Sequence, residues 1–257
     1  MTKTYDQYKD GKFSYSFLKN FALSPKHALA YINREFKETP AFTFGRLFHA
    51  VMADQVNQEF IIWNDMDRPE LERTMASAKN KSWKRELIEQ AMDSNRSLIS
   101  MDEWAVAQQM RESVEKNPLG RRLLKANGEV ELSYENDIFQ GRADKVIHDQ
   151  KLIIDWKSTM RLNPDYITYD IQKYHYDSQA AIYNKIIGDS NYSVLLVFIE
   201  KSEPYDLLPV LIEPDSETMR NGSAKLGIWY NQAKAAFENN EWGGVSSLFP
   251  DNIMYCE

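Results

Sequence analysis

The chain is poor in the features that mark several large protein classes. A single cysteine, Cys256, excludes an internal disulfide, a cysteine-built zinc site and an iron–sulfur cluster. No apolar run approaches the roughly eighteen residues that a membrane helix needs, and "MTKTYDQYKDGKFSY" at the N-terminus lacks the apolar stretch of a secretory signal. A cytoplasmic protein without membrane association is therefore expected. No G-x-x-x-x-G-K-[ST] phosphate loop, internal repeat or low-complexity segment occurs. An excess of positive charge is also missing: the formal net charge is −7, which argues against a protein that coats nucleic acid nonspecifically. The deficit is local, because residues 202–257 carry nine acids and three bases and leave the first 201 residues at −1. Within those, "KNKSWKR" (79–85) and "GRRLLK" (120–125) are basic without any acid.

What is present is enough apolar residue, 43%, for a packed core. Residues 1–127 read mainly as helix. Phe17, Leu18 and Phe21, then Ala28, Leu29 and Ile32, recur at helical spacing, with Ser24-Pro25 as N-cap and first helical residue. "TFGRLFHAVMADQ" forms a further amphipathic helix with His49 beside its apolar face. "EFIIW" and "SLIS" are short strand candidates around a helix over 70–94, and Ser100 with Glu103 has capping-box spacing for a helix over 101–116. From Gly128 the period becomes two. "EVELSYE", "IFQGRADKVIH" and "KLIIDWKS" make a three-stranded meander. A Tyr-rich helix over 168–187, a buried strand "YSVLLVFIE", a strand moved toward an edge by Pro209, and a long helix over 214–240 complete the chain. The expected class is α/β (α+β), a small mixed sheet flanked by helices in one domain. It divides into 1–127 (helical), 128–213 (sheet and helix) and 214–257 (helix and tail).

One stretch resists explanation as ordinary packing. "LIIDWK" places an acid and a lysine inside an apolar strand, where charges are costly unless paired or bound to metal. Alternation puts Asp155 and Lys157 on one face, and an antiparallel pairing brings Asp144 opposite or nearly opposite Asp155. Two carboxylates so close call for a cation between them, and hard oxygen ligands suit Mg²⁺ or Mn²⁺. Glu131 on the preceding strand and the backbone carbonyl of Trp156 can add oxygens. Such a centre beside a lysine suits phosphodiester hydrolysis. Taken alone, acid-x-Lys is equally the pattern of an ion pair on a solvated strand face, and a lone helical His is commonly a filler.

The ordered set Gly-Arg-Ala-Asp144, ten intervening residues, Asp155-Trp156-Lys157, then Gln179-x-x-x-Tyr183 resembles the PD-(D/E)xK nuclease superfamily in its RecB-like branch. "VELSYE", "GRADKVI", "IIDWKST" and "YHYDSQAAIY" are most similar to the RecE-type (exonuclease VIII) nuclease domains and their phage relatives, over about residues 14–200. The resemblance implies Asp144, Asp155 and the Trp156 carbonyl as metal ligands and Lys157 as the catalytic lysine. "GRLFHA" matches the branch's G-x-x-x-H helix and brings His49 to the metal. Glu131 matches the acid of the preceding strand, and Gln179 and Tyr183, one helical turn apart, would position the scissile strand. Ala143 replaces the name-giving proline, which shapes backbone and does no chemistry. Arg142 and Arg161 are expected phosphate contacts.

The implied activity is Mg²⁺-dependent exonuclease action on one strand of linear double-stranded DNA, 5′ to 3′, leaving 3′ overhangs for recombination. A ring-like homo-oligomer, a single-strand annealing protein as partner and a phage or prophage origin go with it. Iron–sulfur members of the branch are excluded by the cysteine count. A different RecB-like nuclease, or a catalytically silent DNA-binding or assembly module of the same fold, is the alternative.

Overall fold

The structure is a computed structural model that describes residues 8, 11–34, 38–248 and 251; Cys256 lies outside them. The chain opens with strand β1 (Phe13–Ser14), helix α1 (Tyr15–Leu18), a 3-10 turn (Lys19–Ala22) and α2 (Pro25–Asn33). The Ser24 hydroxyl accepts the His27 amide and Pro25 occupies the first turn, as the sequence predicts. Helices α3 (Pro40–Met52) and α4 (Val56–Glu59) follow. Strands β2 (Phe60–Trp63) and β3 (Ser97–Ser100) then pair in parallel across α5 (Ala78–Asp93).

The expected helix over 70–94 is shorter than its helix-forming composition implies. Residues before Ala78 form turns folded around Asn80, whose buried amide accepts from the Glu70 N–H and donates to the Glu70 and Thr74 carbonyls. That side chain completes backbone bonds that a continuous helix would have made internally. Helix α6 (Met101–Lys116) starts at the expected Ser100–Glu103 capping box, and Asn117 caps α7 (Pro118–Lys125).

The larger sheet has six strands. Strands β4 (Glu129–Glu135), β5 (Phe139–Ile147) and β6 (Leu152–Thr159) form the antiparallel meander read from the period-two pattern. Strand β7 (Ser193–Glu200) joins β6 in parallel, and β8 (Leu207–Ile212), with Pro209, closes one edge against β7. Strand β1 pairs in parallel with the start of β5, an addition that two residues of sequence could not announce.

Helices cover both faces because β6 is apolar on both. Ile153 packs with Phe17, Ile182 and Trp229, whereas Ile154 and Trp156 pack with Phe48, Met110 and Val114 of α3 and α6. Fully burying such side chains stabilises by about 1.5–3 kcal/mol each.

Between β6 and β7 run α8 (Pro164–Lys173) and α9 (Tyr176–Ile187), two helices where one over 168–187 was expected. The chain turns at His175, which has φ 58° and sets its ring edge-on against Trp229, 5.0 Å between centroids. Packing of that ring outweighs the local helix preference of "YDIQKYHYDSQ". The long helix α10 (Glu217–Asn239) then crosses α9 tightly at Gly222, where a Cβ would lie 2.1 Å from the Asp177 carbonyl oxygen. Lys225 fixes the same crossing by pairing with buried Asp177 at 2.7 Å. Among the described residues no helix is long and apolar enough to cross a membrane.

Candidate active site

The β5–β6 ladder is regular from the turn up to Lys145–Ile154 and stops there. Continued one step, the register sets Asp144 beside Asp155, as predicted. Instead of a backbone pair, the Asp144 carboxylate accepts the Trp156 N–H at 2.7 Å, so a side chain takes over one rung as the strands part. The neighbouring β4–β5 ladder is interrupted at the same level. Val130–Lys145 and Leu132–Ala143 are paired, and Glu131 between them has φ 52°. A left-handed conformation at a non-glycine residue costs roughly 1–2 kcal/mol, and strain of this kind persists where surrounding structure imposes it. Its effect is to leave the Glu131 carboxylate buried, 2.9 Å from the Arg142 guanidinium and 4.0 Å from His49.

His49 arrives from α3, whose Phe48 and Leu47 are fully buried against the core and so fix the helix face that His49 borders. Its Nδ1 lies 3.1 Å from Asp144 Oδ2. The approach is close but lacks hydrogen-bond direction, which leaves buried Nδ1 without a hydrogen-bond partner. His49, Glu131 and Asp144 each offer a ligand atom, all within 4.8 Å of one another. A buried imidazole nitrogen with no proper partner, facing two carboxylates, fits a divalent cation better than it fits a closed hydrogen-bond network.

Asp155 lies on the other side of Asp144 and belongs to a second chain of contacts. Lys157 Nζ is 2.8 Å from Asp155 Oδ2 and donates to Gln179 Oε1 at 3.0 Å. Gln179 Nε2 donates to the Tyr183 hydroxyl at 2.8 Å, and that hydroxyl reaches back to Asp155 Oδ2 at 3.5 Å. The loop Asp155–Lys157–Gln179–Tyr183 closes on itself. The i, i+4 spacing on α9 puts Gln179 and Tyr183 on one face, and the Gly222 contact holds α9 where that face meets β6. The Tyr176 ring lies 4.4 Å from Lys157 Nζ, a partner that no motif of the sequence marks.

The electrostatics separate the two acids. Burial pushes the Asp155 carboxyl up to about 6, with Asp144 adding to the effect and Lys157 opposing it. Burial acts on Asp144 in the same sense, but His49, Lys157 and the Trp156 amide outweigh it and hold that carboxyl below its ordinary value. For His49 and Lys157 burial favours the neutral forms, yet Asp144 and Asp155 respectively reverse this and raise both groups.

Other expected residues lie elsewhere. Arg142 is engaged by Glu131 at the rim, whereas Arg161 stacks over Tyr166, 5.1 Å from its centroid, beyond the end of β6. Of the basic runs, Lys84 sits over the Trp63 ring at 3.0 Å and the 120–125 bases ride on α7.

The family model described as "PDDEXK-like domain of unknown function (DUF3799)" matches residues 14–248. The chain belongs to this PDDEXK-like family. None of the curated proteins matches it in sequence. Among solved structures, a candidate exonuclease from Eubacterium rectale is similar at 13% identity with a TM-score of 0.62, covering 95% of this chain and 90% of that one. A phage-related exonuclease from Haemophilus somnus 129PT is similar at 15% identity and TM-score 0.37, over 64% of this chain and 85% of that one. At these identities the likeness to the Eubacterium rectale protein speaks for a shared fold, the mixed sheet flanked by helices expected for PDDEXK-like chains. PDDEXK nucleases use divalent metals, and the His49, Glu131 and Asp144 group is suited to one.

Proposed function

We propose that this PDDEXK-like protein is a Mg²⁺-dependent exodeoxyribonuclease that hydrolyses one strand of linear double-stranded DNA, 5′ to 3′, leaving 3′ single-stranded overhangs. The observation that carries the reading is the juxtaposition of the orphaned His49 Nδ1, Glu131 and Asp144 with the ion pair of buried Asp155 and half-buried Lys157. An ion pair serving only stability would not need a histidine and two further acids converging beside it.

In this reading His49, Glu131, Asp144, Asp155 and the Trp156 carbonyl hold the metal. A bound divalent cation would polarise a phosphoryl oxygen and make a water acidic enough to attack. Lys157, clamped between Asp155 and Gln179, holds the attacking water by its ammonium and offsets the charge gathering on the phosphoryl oxygens. Gln179 and Tyr183 orient Lys157 and the scissile strand. As the new P–O bond forms, the attacking water gives up a proton to solvent, the bond to the leaving oxygen breaks in line, and that oxygen takes up a proton from solvent. Mn²⁺ would serve the same ligands.

Residues 1–257 act as one nuclease domain. On the family resemblance the reading extends to a ring-like homo-oligomer around DNA, a single-strand annealing protein as working partner, and a cytoplasmic setting in a phage or prophage context.

The test uses purified protein with linear and covalently closed circular duplex DNA, in Mg²⁺ or EDTA. Digestion of linear DNA alone, lost in EDTA and in Asp155→Ala and Lys157→Ala, is expected. Cleavage of the closed circle would point to an endonuclease of the same branch. Intact linear DNA under every condition, with binding retained, would identify a catalytically silent DNA-binding module.

A further inference from the structure

A groove of about 1200 Å³ runs along the N-terminal helices, the start of α3 and the α5–β3 edge, and reaches the site at Arg142. It exceeds the roughly 300–1,000 Å³ of a small-molecule pocket. Although the chain is acidic overall, five basic residues line it against two acids, Glu38 and Glu59. Arg46 binds both of those acids, at 2.7 and 3.0 Å. Arg142 is held by Glu131 at the inner end. Lys19, Arg34 and Arg96 remain, and among the described residues none of them makes an ion pair.

Their surroundings are aromatic or neutral. Arg34 lies over the Tyr31 ring at 4.3 Å, Lys19 over Tyr15 at 5.2 Å, and Arg96 donates to Ser94 Oγ at 3.1 Å. Lys19 is lowered by burial and by the charges of Lys157 and Arg34, so the groove's cations and the catalytic lysine share one field. An array of uncompensated cations continuous with a phosphodiester site is an anionic polymer's track. The rest of the lining says which polymer. Met92 is 73% exposed and Ile88 44% exposed, and both line the groove, as Tyr31 does. A duplex offers its outside as sugar and phosphate, which gain nothing from these side chains, whereas unpaired bases stack on and pack against them.

We propose that this groove binds a single strand of DNA, its phosphates on Lys19, Arg34 and Arg96 and its bases on Tyr31, Ile88 and Met92. The inference deepens the nuclease reading and rests on it for the identity of the polymer.

Fluorescence anisotropy in EDTA, where no strand is cut, tests it with labelled oligo(dT) and a blunt hairpin duplex of equal length. The single strand is expected to bind about tenfold more tightly. Arg34→Ala and Arg96→Ala should each weaken it about five- to tenfold and reduce the slope of log K against log salt by about 0.7, one released counterion contact on a single strand. Met92→Ser should weaken binding with the slope unchanged, and Lys81→Ala, outside the groove, should change nothing. Thermal midpoints confirm that the variants fold. Equal or tighter duplex binding, or arginine variants that bind like the parent, would overturn the proposal. Digestion of linear DNA in Mg²⁺, measured alongside, separates the two failures. Intact digestion with unaffected binding in the variants sinks the groove alone, and lost digestion with intact groove binding sinks the nuclease reading alone.

Discussion

Two glycines on α10 give a paired test of how the site is held. A Cβ at Gly222 would lie 2.1 Å from the Asp177 carbonyl oxygen and 2.3 Å from its carbon, whereas a Cβ at Gly227 would meet nothing within 4 Å. Both positions are helical, so each Gly→Ala change gains about 1 kcal/mol of helix propensity. At Gly227 that gain stands alone. At Gly222 it opposes overpacking, which costs about 1–3 kcal/mol and sits at the upper end when the obstacle is backbone that has no rotamer to change. The net expectation is roughly 2 kcal/mol of destabilisation for Gly222→Ala against 1 kcal/mol of stabilisation for Gly227→Ala. At about 2–4 °C per kcal/mol for a chain of this size, the thermal midpoints should move in opposite directions, down by about 4–8 °C and up by 2–4 °C. The two variants should also differ in function. To relieve the contact α9 must shift, and α9 carries Gln179, whose Oε1 lies 3.0 Å from Lys157 Nζ. A displacement near 1 Å at a positioning group can cost about 100-fold in rate, so cleavage of linear DNA should fall in Gly222→Ala and hold in Gly227→Ala. Equal rises in midpoint for both variants, or a Gly222→Ala protein that cuts at full rate, would refute the idea that this crossing sets the catalytic face.

Four further outcomes are expected. Asp155→Asn and Lys157→Met should each reduce Mg²⁺-dependent cleavage by at least about 100-fold, the usual cost of losing one charge-stabilising group, measured by release of end label. His49→Ala should raise the Mg²⁺ or Mn²⁺ concentration needed for half-maximal activity by about 10- to 100-fold. In the parent protein after EDTA treatment, added Mg²⁺ at a hundred times its dissociation constant should raise stability by about 2.7 kcal/mol, followed calorimetrically, and that rise should shrink in His49→Ala. Asn80→Ala should cost roughly 1–2 kcal/mol by denaturant titration, because it empties the place of a buried amide and removes its hydrogen bonds to the part-buried Glu70 N–H and the Thr74 carbonyl.

Legibility of the fold followed the range of the forces involved. The three-stranded meander was readable because alternation over 129–159 is local, and caps at Ser24 and Ser100 were readable because each acts within three residues. The misjudged elements were decided by contacts far along the chain. His175 breaks the 168–187 helix because Trp229, more than fifty residues later, offers its ring a surface. The 70–94 helix is shortened by a side chain, Asn80, that the sequence presents only as one polar residue in a basic run.

The site divides in the same way. Asp155 and Lys157 stood out because charge in an apolar strand violates a local rule, and such violations collect where function imposes them. Asp144 followed from register. Glu131 followed from its place on the preceding strand of the meander, whereas His49 could be joined to them only through the family resemblance, since α3 approaches the sheet by packing that no spacing encodes. The groove had no sequence signal at all. Lys19, Arg34 and Arg96 come from three separate segments, and none lies in the basic runs at 79–85 and 120–125 that composition offers first. What marks them is that, among the described residues, none of the three makes an ion pair, a property of the folded surface. Charge counted along a chain ranks residues by number, whereas a polyanion responds to charge left uncompensated in three dimensions. An acidic protein can therefore present a cationic track, and here the track meets the lysine that β6 holds between an acid and a glutamine.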